Sequence, residues 1–240
     1  MKVVFIVPSF NIADNFDNLV LSIESQQNEN WECVIIDDMS TDNTWSMIST
    51  LCKNNKKFTG IRNKLKKYAL NNIVGVARGY EKNESYIIAV IDGDDQLCNN
   101  KTVDILIDAY ASGFEVVWTA HKWDINGMNI SKKMPVNVNP YQWPWCSSHL
   151  RTFKSSLLAK IDDKNFKNTK GEWFKRGYDQ ALMLPLLSLT KNRKYLSDVC
   201  YLYNIDSVSI PGVDRDWAEM EQLSTINLVR SRGFLSVSSQ

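Results

Sequence analysis

Tyr86-Ile87-Ile88-Ala89-Val90-Ile91-Asp92-Gly93-Asp94-Asp95 is the stretch on which the fold reading turns. Its first six residues form an unbroken apolar run, which reads as a strand buried on both faces in a helix-covered sheet. The run stops at an acidic turn. In extended chain, residues i and i+2 lie on one side. Asp92 and Asp94 are therefore expected to project together beyond the strand, with Gly93 giving a ligand room at the backbone. Open α/β sheets bind ligands at that edge. Converging carboxylates repel one another unless a cation sits between them, and Mg²⁺ usually takes one or two carboxylates plus phosphate oxygens. Asp and Gly also form plain turns after strands, so the stretch alone leaves a metal–diphosphate site and a simple turn both open.

Upstream, Val3–Val7 and Cys33–Ile36 read as buried strands and Phe58–Ile61 as a weaker one. Between them, Phe16, Leu19, Val20 and Ile23 follow helical spacing behind Asp14 or Asn15. Trp45, Ile48, Leu51 and Cys52 do so behind Thr41 or Asp42. Leu70–Tyr80 reads as a third helix. A fourth carries Val103, Leu106, Ile107 and Tyr110 and closes at Gly113, before a strand over Glu115–Thr119. This βαβαβαβ order predicts an α/β fold with a mostly parallel sheet flanked by helices. The second half differs. Asn126-Gly127 between Trp123-Asp124-Ile125 and Met128-Asn129-Ile130 signals a hairpin, and the Pro- and aromatic-rich 137–147 a loop. Tyr178–Leu189 reads as a helix that Pro185 bends or interrupts, Lys194–Asn204 as a strand pair or edge, and Val213–Arg232 as an amphipathic helix ending at Gly233. Without repeats or low-complexity linkers, the 240 residues are expected to form a single domain.

Composition narrows the function classes. Apolar residues at 44% and charged residues at 23% exclude disorder, collagen and coiled coil. With 28 Lys and Arg against 27 Asp and Glu, the chain lacks the basic field of many nucleic-acid binders, so no nucleic-acid partner is expected. No apolar run approaches the ~20 residues of a spanning helix, so no transmembrane segment is expected, and Val3–Val7 before Pro8 is too short for a signal peptide. Five widely spaced cysteines without a CxxC suggest neither a disulfide framework nor a zinc site but a reducing, cytoplasmic compartment. Seven bases fall between Lys53 and Lys67 with no acid among them. They form a solvated face or a peripheral contact with the inner face of an anionic membrane. No GxGxxG, P-loop or GxSxG occurs.

Asp37-Asp38 follows the Cys33–Ile36 strand and runs on as Met39-Ser40-Thr41-Asp42. One carboxylate there can accept from a base or ribose, and the other can cap the next helix. Taken in order, Val7-Pro8-Ser9-Phe10-Asn11, this acidic pair and Asp92-Gly93-Asp94-Asp95 resemble the GT-A-fold, family-2-type nucleotide-sugar glycosyltransferases over about the first 100 residues. The resemblance implies a GT-A-like, Rossmann-like fold with a nucleotide-binding half over about 1–98 and an acceptor-side half over about 99–240. It implies that Pro8, Ser9 and Phe10 line the nucleobase and ribose and that Asp38 bonds the base, usually uracil. Asp92 would contact ribose or metal, and Asp94, with Asp95 adjacent, would ligate Mn²⁺ or Mg²⁺ on the donor diphosphate. The family's Arg-Asn pair is represented by Ala69-Leu70-Asn71-Asn72. Asn72 matches the Asn, the Arg is missing, and Lys66, Lys67 or Arg78 would supply the charge.

The family also places a catalytic carboxylate on a helix of the second half. Asp179 in Gly177-Tyr178-Asp179-Gln180-Ala181 is the candidate, with Asp162 and Asp163 as competitors, and Ser148-His149-Leu150-Arg151-Thr152-Phe153 resembles a subgroup. An acceptor hydroxyl is a poor nucleophile unless a base within ~3 Å takes its proton. A cap at the helix start is the plainer role for Asp179. His149 can touch diphosphate or metal or simply pack, and Arg151 can pair with phosphate or with an Asp. Tyr141, Trp143, Trp145, Trp173 and Phe174 offer sugar-binding faces or loop anchors. The expected activity is metal-dependent, inverting transfer from a UDP-sugar to a glycan, lipid-linked or protein acceptor. The rivals are a sugar nucleotidyltransferase and a non-catalytic nucleotide-sugar or glycan-binding module.

Overall fold

The computed structural model describes residues 1–205 and 215–236. Its first half follows from alternation on buried strands. β1 (Lys2–Ser9), β2 (Trp31–Asp37), β3 (Phe58–Arg62) and β4 (Tyr86–Val90) run parallel in the order β3-β2-β1-β4. Side chains alternate between faces. Val4, Ile6, Val34, Ile36, Ile88 and Val90 pack toward α3 (Tyr68–Ala77) and α5 (Tyr178–Leu189). Val3, Phe5, Val7, Cys33, Ile35, Ile87 and Ala89 pack toward α1 (Phe16–Glu24), α2 (Thr44–Asn54) and α4 (Thr102–Ala111). Connections from β1 and β2 thus lie on one face and the connection from β3 on the other. The switch opens a crevice beyond the carboxyl ends of β1 and β4, where ligands bind in such sheets.

Pro8 shows how closely the sequence is fitted to that edge. The Ile91 amide donates to the Ile6 carbonyl (3.1 Å), so Ile6, and Pro8 two residues on, face β4. β4 pairing ends at Ile6–Val90, so the N–H that proline lacks has no ladder partner to lose.

The second half departs from the expected parallel order. The short strand β5 (Gln96–Leu97) precedes α4, and β6 (Val116–Trp123) follows it. β6 does not lie beside β4. Four residues, β7 (Arg151–Lys154), insert antiparallel between them. The long β8 (Arg193–Tyr203) pairs parallel to β6 and antiparallel to β5, completing the order β3-β2-β1-β4-β7-β6-β8-β5. Lys194–Asn204 is therefore one strand rather than a strand pair, with β5 at the edge. The hairpin at Asn126-Gly127 does not form. Gly127 is left-handed and Trp123 N–H reaches the Met128 carbonyl (3.0 Å), but no return strand follows. Asn129 Oδ1 accepts from the Ser131 amide (3.0 Å) and from the His121 amide (3.4 Å), replacing ladder bonds by side-chain bonds. α5 runs through Pro185 without interruption, with Gln180–Leu187 all buried. α6 (Arg215–Arg232) closes the described chain; the Val213 start expected for it lies outside the described residues. The loop over 137–147 has no regular structure. Tyr141 is buried, and Trp143 and Trp145 pack against the core as anchors. All five cysteines are free thiols. Among the described residues, no helix is long and apolar enough to cross a membrane.

Candidate active site

A cavity of about 530 Å³ opens over the carboxyl ends of β1, β2 and β4. Pro8, Ser9 and Phe10 line it from β1, Asp38 from β2, Asn72 from α3 and Asp92 from β4. On the opposite wall stand His149 and Arg151 at β7, Lys175, Arg176 and Asp179 at the start of α5, and Tyr203 from β8. Two halves of the chain that are remote in sequence thus face each other.

Asp38 is buried and fully engaged. Oδ1 accepts from Asn63 Nδ2 and the Lys67 amide, and Oδ2 from the Tyr68 amide, each at 2.8 Å. It therefore caps α3, across the crevice, and not α2. The start of α2 is served by Asp42, whose Oδ1 accepts from the Thr44 amide. Asp37 pairs with Arg62 (3.2 Å) and accepts from the Ser40 amide. Asn63 also donates to Asn72 Oδ1 (2.7 Å). This fixes the Asn72 carboxamide with its Nδ2 buried at the cavity and without a partner. Such a donor is costly to leave unmade and suits an oxygen-bearing ligand.

The acidic run after β4 is not extended. The Asp95 amide bonds the Asp92 carbonyl (3.0 Å), closing a turn. Asp92 and Asp94 consequently part. Asp92 faces the large cavity, whereas Asp94 lines a separate space of about 140 Å³ beside Asp95. Gly93 does not make room for a ligand either. A Cβ there would lie 2.8 Å from Ser9 Oγ and 3.0 Å from the Pro8 carbonyl, so the glycine allows the turn to pack against β1. Asp92 Oδ2 accepts from Arg151 (3.0 Å) and Oδ1 from the Tyr178 hydroxyl. Asp95 accepts from the Tyr201 hydroxyl (2.6 Å) and the Asn204 amide (2.7 Å). Burial, then repulsion from Asp92 and Asp94, pushes the Asp95 carboxyl up to about 9.

His149 stacks on Tyr201 (4.5 Å) and Tyr203 (5.1 Å). Its buried Nδ1 has no hydrogen-bond partner and lies 3.9 Å from Asp92 Oδ2. Burial and the nearby Arg151 push its pKa well down, so the ring is neutral and Nδ1 can act as a ligand atom. Asp92, Asp95 and His149 bring ligand atoms within 4.8 Å of one another. His121 behind it bonds Ser131 Oγ (3.1 Å), and burial pushes its pKa down to about 4.

Asp179 lies in the first turn of α5, facing the cavity. Burial raises its pKa, opposed by Arg151 and the Gln180 amide. Its two sequence competitors are spent elsewhere: Asp162 caps a 3-10 turn through the Lys164 amide, and Asp163 pairs with Arg78 (2.5 Å). That pair, with Glu81 and two carbonyls, also removes Arg78 as a diphosphate partner. Lys66 remains, its Nζ 3.0 Å from the Phe10 ring centroid. Lys175 and Arg176 join it, and the sequence reading passed over both. Their signal was two adjacent cations directly before Gly177-Tyr178-Asp179. Tyr178, which braces Asp92, was also missed, because nothing local announces a contact across 86 positions.

Comparison with known proteins adds to this geometry. A dolichol-phosphate mannosyltransferase of Pyrococcus furiosus is 29% identical over 117 residues, 48% of this chain and 32% of that protein. The matched stretch thus spans about a third of that relative. The fold is shared with S. aureus TarS 1–349 in complex with UDP, at TM-score 0.65 and 18% identity over 95% of this chain and 71% of that one. It is shared too with the mannosyltransferase PcManGT of Pyrobaculum calidifontis in complex with GDP-Man and Mn²⁺, at TM-score 0.62 and 17% identity over 98% and 66%. Residues 4–162, most of the chain, match the family described as glycosyl transferase family 2, and the chain belongs to that family.

Proposed function

We propose that this chain, acting as a single catalytic unit, moves a sugar from a nucleoside-diphosphate donor, UDP-linked, to an acceptor hydroxyl with inversion. One observation carries the reading. A single cavity joins the β-strand ends bearing Ser9, Asp38 and Asp92 to a half-buried carboxylate, Asp179, with Lys66, Lys175 and Arg176 between. Solved proteins of the same fold hold UDP, UDP-GlcNAc or GDP-Man with Mn²⁺. The free thiols suit a cytoplasmic setting.

In this mechanism Pro8, Ser9 and Phe10 hold the base and ribose, Asp38 stiffens that wall, and Asn72 Nδ2 donates to a donor oxygen. The acceptor oxygen attacks the anomeric carbon as its proton passes to an Asp179 carboxylate oxygen. The bond from that carbon to the diphosphate oxygen breaks on the opposite side, which inverts the centre. Lys66, Lys175 and Arg176 take up the charge that develops on the leaving diphosphate. A divalent cation fits the residues present. Asp92, Asp95 and the unpartnered His149 Nδ1 offer mixed oxygen and nitrogen ligands, with Asp94 next in the chain, and a cation would relieve the repulsion that helps raise the Asp95 carboxyl. Bound Mn²⁺ or Mg²⁺ would act as a Lewis acid toward the leaving diphosphate.

The test is a thermal-shift screen of UDP and GDP with and without Mn²⁺, since a ligand of the folded state raises the midpoint by mass action. UDP with Mn²⁺ is expected to stabilise the wild type, and Asn72→Ala to weaken that shift. No shift with either nucleotide would defeat the proposal.

A further inference from the structure

Beyond the donor cavity lies a second one of about 430 Å³, walled by the segment over 168–175 and by α6. Three residues, Lys175, Trp217 and Glu221, line both. The second space is therefore a continuation of the first, on the side where Asp179 stands. We infer that this second cavity seats the acceptor, and that the acceptor is a neutral saccharide. The inference rests on the donor reading above for its direction, but its own test does not.

The lining argues for the class. Trp173 and Trp217 place two indoles in the cavity. Aromatic faces carry negative charge density, and the C–H faces of a sugar ring present the complementary edge. Trp173 is held in place by stacking on Phe166 (6.0 Å, 9°). Polar groups interleave with the rings: Asn168, Glu172, Ser224 and Thr225. The loop that carries Asn168 and Glu172 is pre-organised, because Asn168 Nδ2 donates to Glu172 Oε2 (2.9 Å) and its Oδ1 accepts from the Glu172 and Lys170 amides. A rigid wall of rings and hydroxyl partners, at about 300–1,000 Å³, is the usual form of a small-ligand site. A purely apolar guest would take the polar edges of this wall out of water and give them no partner of its own.

Charge excludes the other classes. Glu172 and Glu221 face one cation of the lining, Lys175, and the neighbouring Arg176 is already beside Glu221 (3.4 Å). The lining's one cation, Lys175, already lies over the Tyr68 ring (5.2 Å), so the wall keeps no unengaged cation for an anionic acceptor. The exposed row Trp217, Met220 and Leu223 on α6 could suggest contact with lipid. An interfacial helix on an anionic bilayer carries Lys and Arg on its polar face. The described side chains of the first two turns of α6 instead include Asp216, Glu219 and Glu221, and the cations Arg230 and Arg232 stand at the far end.

The experiment is saturation-transfer NMR of the full chain with chitobiose, mannobiose and lactose at millimolar concentration, with and without UDP. Two variants touch the second cavity alone. Ser224→Trp fills it from an exposed helix position, and Glu172→Ala removes an acceptor from its loop. At least one disaccharide is expected to give wild-type signals. Ser224→Trp should weaken that binding by about tenfold or more and Glu172→Ala less, while both keep the wild-type shift with UDP and Mn²⁺. Absence of signal from all three sugars, or signal unchanged in Ser224→Trp, overturns the inference. So does co-sedimentation with phosphatidylglycerol vesicles that Met220→Glu abolishes, which would assign the face to lipid. Loss of the wild-type UDP shift with disaccharide signals intact would instead break the donor reading and leave this one standing.

Discussion

The proposed donor side and the proposed acceptor side of the cavity are built by different means. On the first side, each proposed functional residue ends a buried strand or follows it by one or two positions: Ser9 closes β1, Asp38 follows β2 and Asp92 follows β4. Local pattern fixes the strand, and the strand's end fixes the residue. On the acceptor side the wall is assembled from a four-residue strand, a loop before α5 and a helix packed on it, drawn from about 70 residues of chain. The first construction uses a sheet edge that the fold supplies in any case. The second depends on long-range packing, so its residues answer to tertiary context. Substitutions on the two sides should therefore separate chemistry from binding and from stability.

The largest expected effect is at Asp179. Asp179→Asn should lower transfer by about 10²–10⁴-fold, the usual contribution of a general base, while the UDP-induced thermal shift stays. The same change should raise the melting temperature at neutral pH by about 2–4 °C. The sign follows from burial. The folded-state pKa of Asp179 lies above its ordinary 3.8, so ionisation is disfavoured in the folded protein. The cost begins as pH rises past 3.8 and is complete above the raised value. The advantage of Asn should accordingly vanish as pH falls toward 3. Equal midpoints at every pH, or unchanged transfer, would mean that Asp179 is only a helix-start residue.

Wild-type transfer should also climb with pH through that raised pKa, because only the ionised carboxylate accepts the proton. The acid limb should lie above the ordinary carboxylate range. A rate already flat down to pH 4 would contradict a base with a raised pKa.

Asp38→Ala tests the donor side. It strips partners from the Lys67 and Tyr68 amides and from Asn63 at one stroke. A stability loss of about 1–3 kcal/mol should follow, read by urea denaturation, together with weaker UDP binding. Asp38→Asn, which keeps an acceptor oxygen, should recover part of the stability. If Ala lowers UDP affinity with no change in stability, the residue serves the base alone and not the α3 terminus.

What the sequence displayed and what it hid divide along the same line. The strand-end residues were legible because a buried parallel strand announces itself as an apolar run and the next polar residue must lie at the edge. α5 was legible to the residue, since Gly177 and a buried apolar run frame it. β7 was not. Arg151-Thr152-Phe153-Lys154 has neither length nor alternation, and becomes a strand because β4 and β6 flank it. Its arrival brings two antiparallel pairings into the mostly parallel sheet that was expected. The parting of Asp92 and Asp94 was hidden for a related reason. The i, i+2 rule holds only while the chain stays extended, and the tight fit of Gly93 against Pro8 and Ser9 is visible only once β1 is in place.

That fit gives a smaller, sharper prediction. Gly93→Ala should destabilise by about 1–3 kcal/mol, the range for an overpacked site, because its Cβ would press on Ser9 Oγ and the Pro8 backbone. The damage should spread to the donor wall, so UDP binding weakens with stability. The acceptor-side counterpart is Asp163→Asn. Asp163 is half exposed and paired with Arg78 at the surface, where an ion pair contributes about 1 kcal/mol at most. Neither residue lines the cavity among the described residues, so transfer should stay within about twofold and the midpoint should fall by no more than a few degrees. A large loss of transfer in Asp163→Asn would return this acid to the competition for the base. It would also place the chemistry outside the cavity that joins the two halves, because the carboxylates of positions 163 and 179 belong to different elements and only the second faces the strand ends.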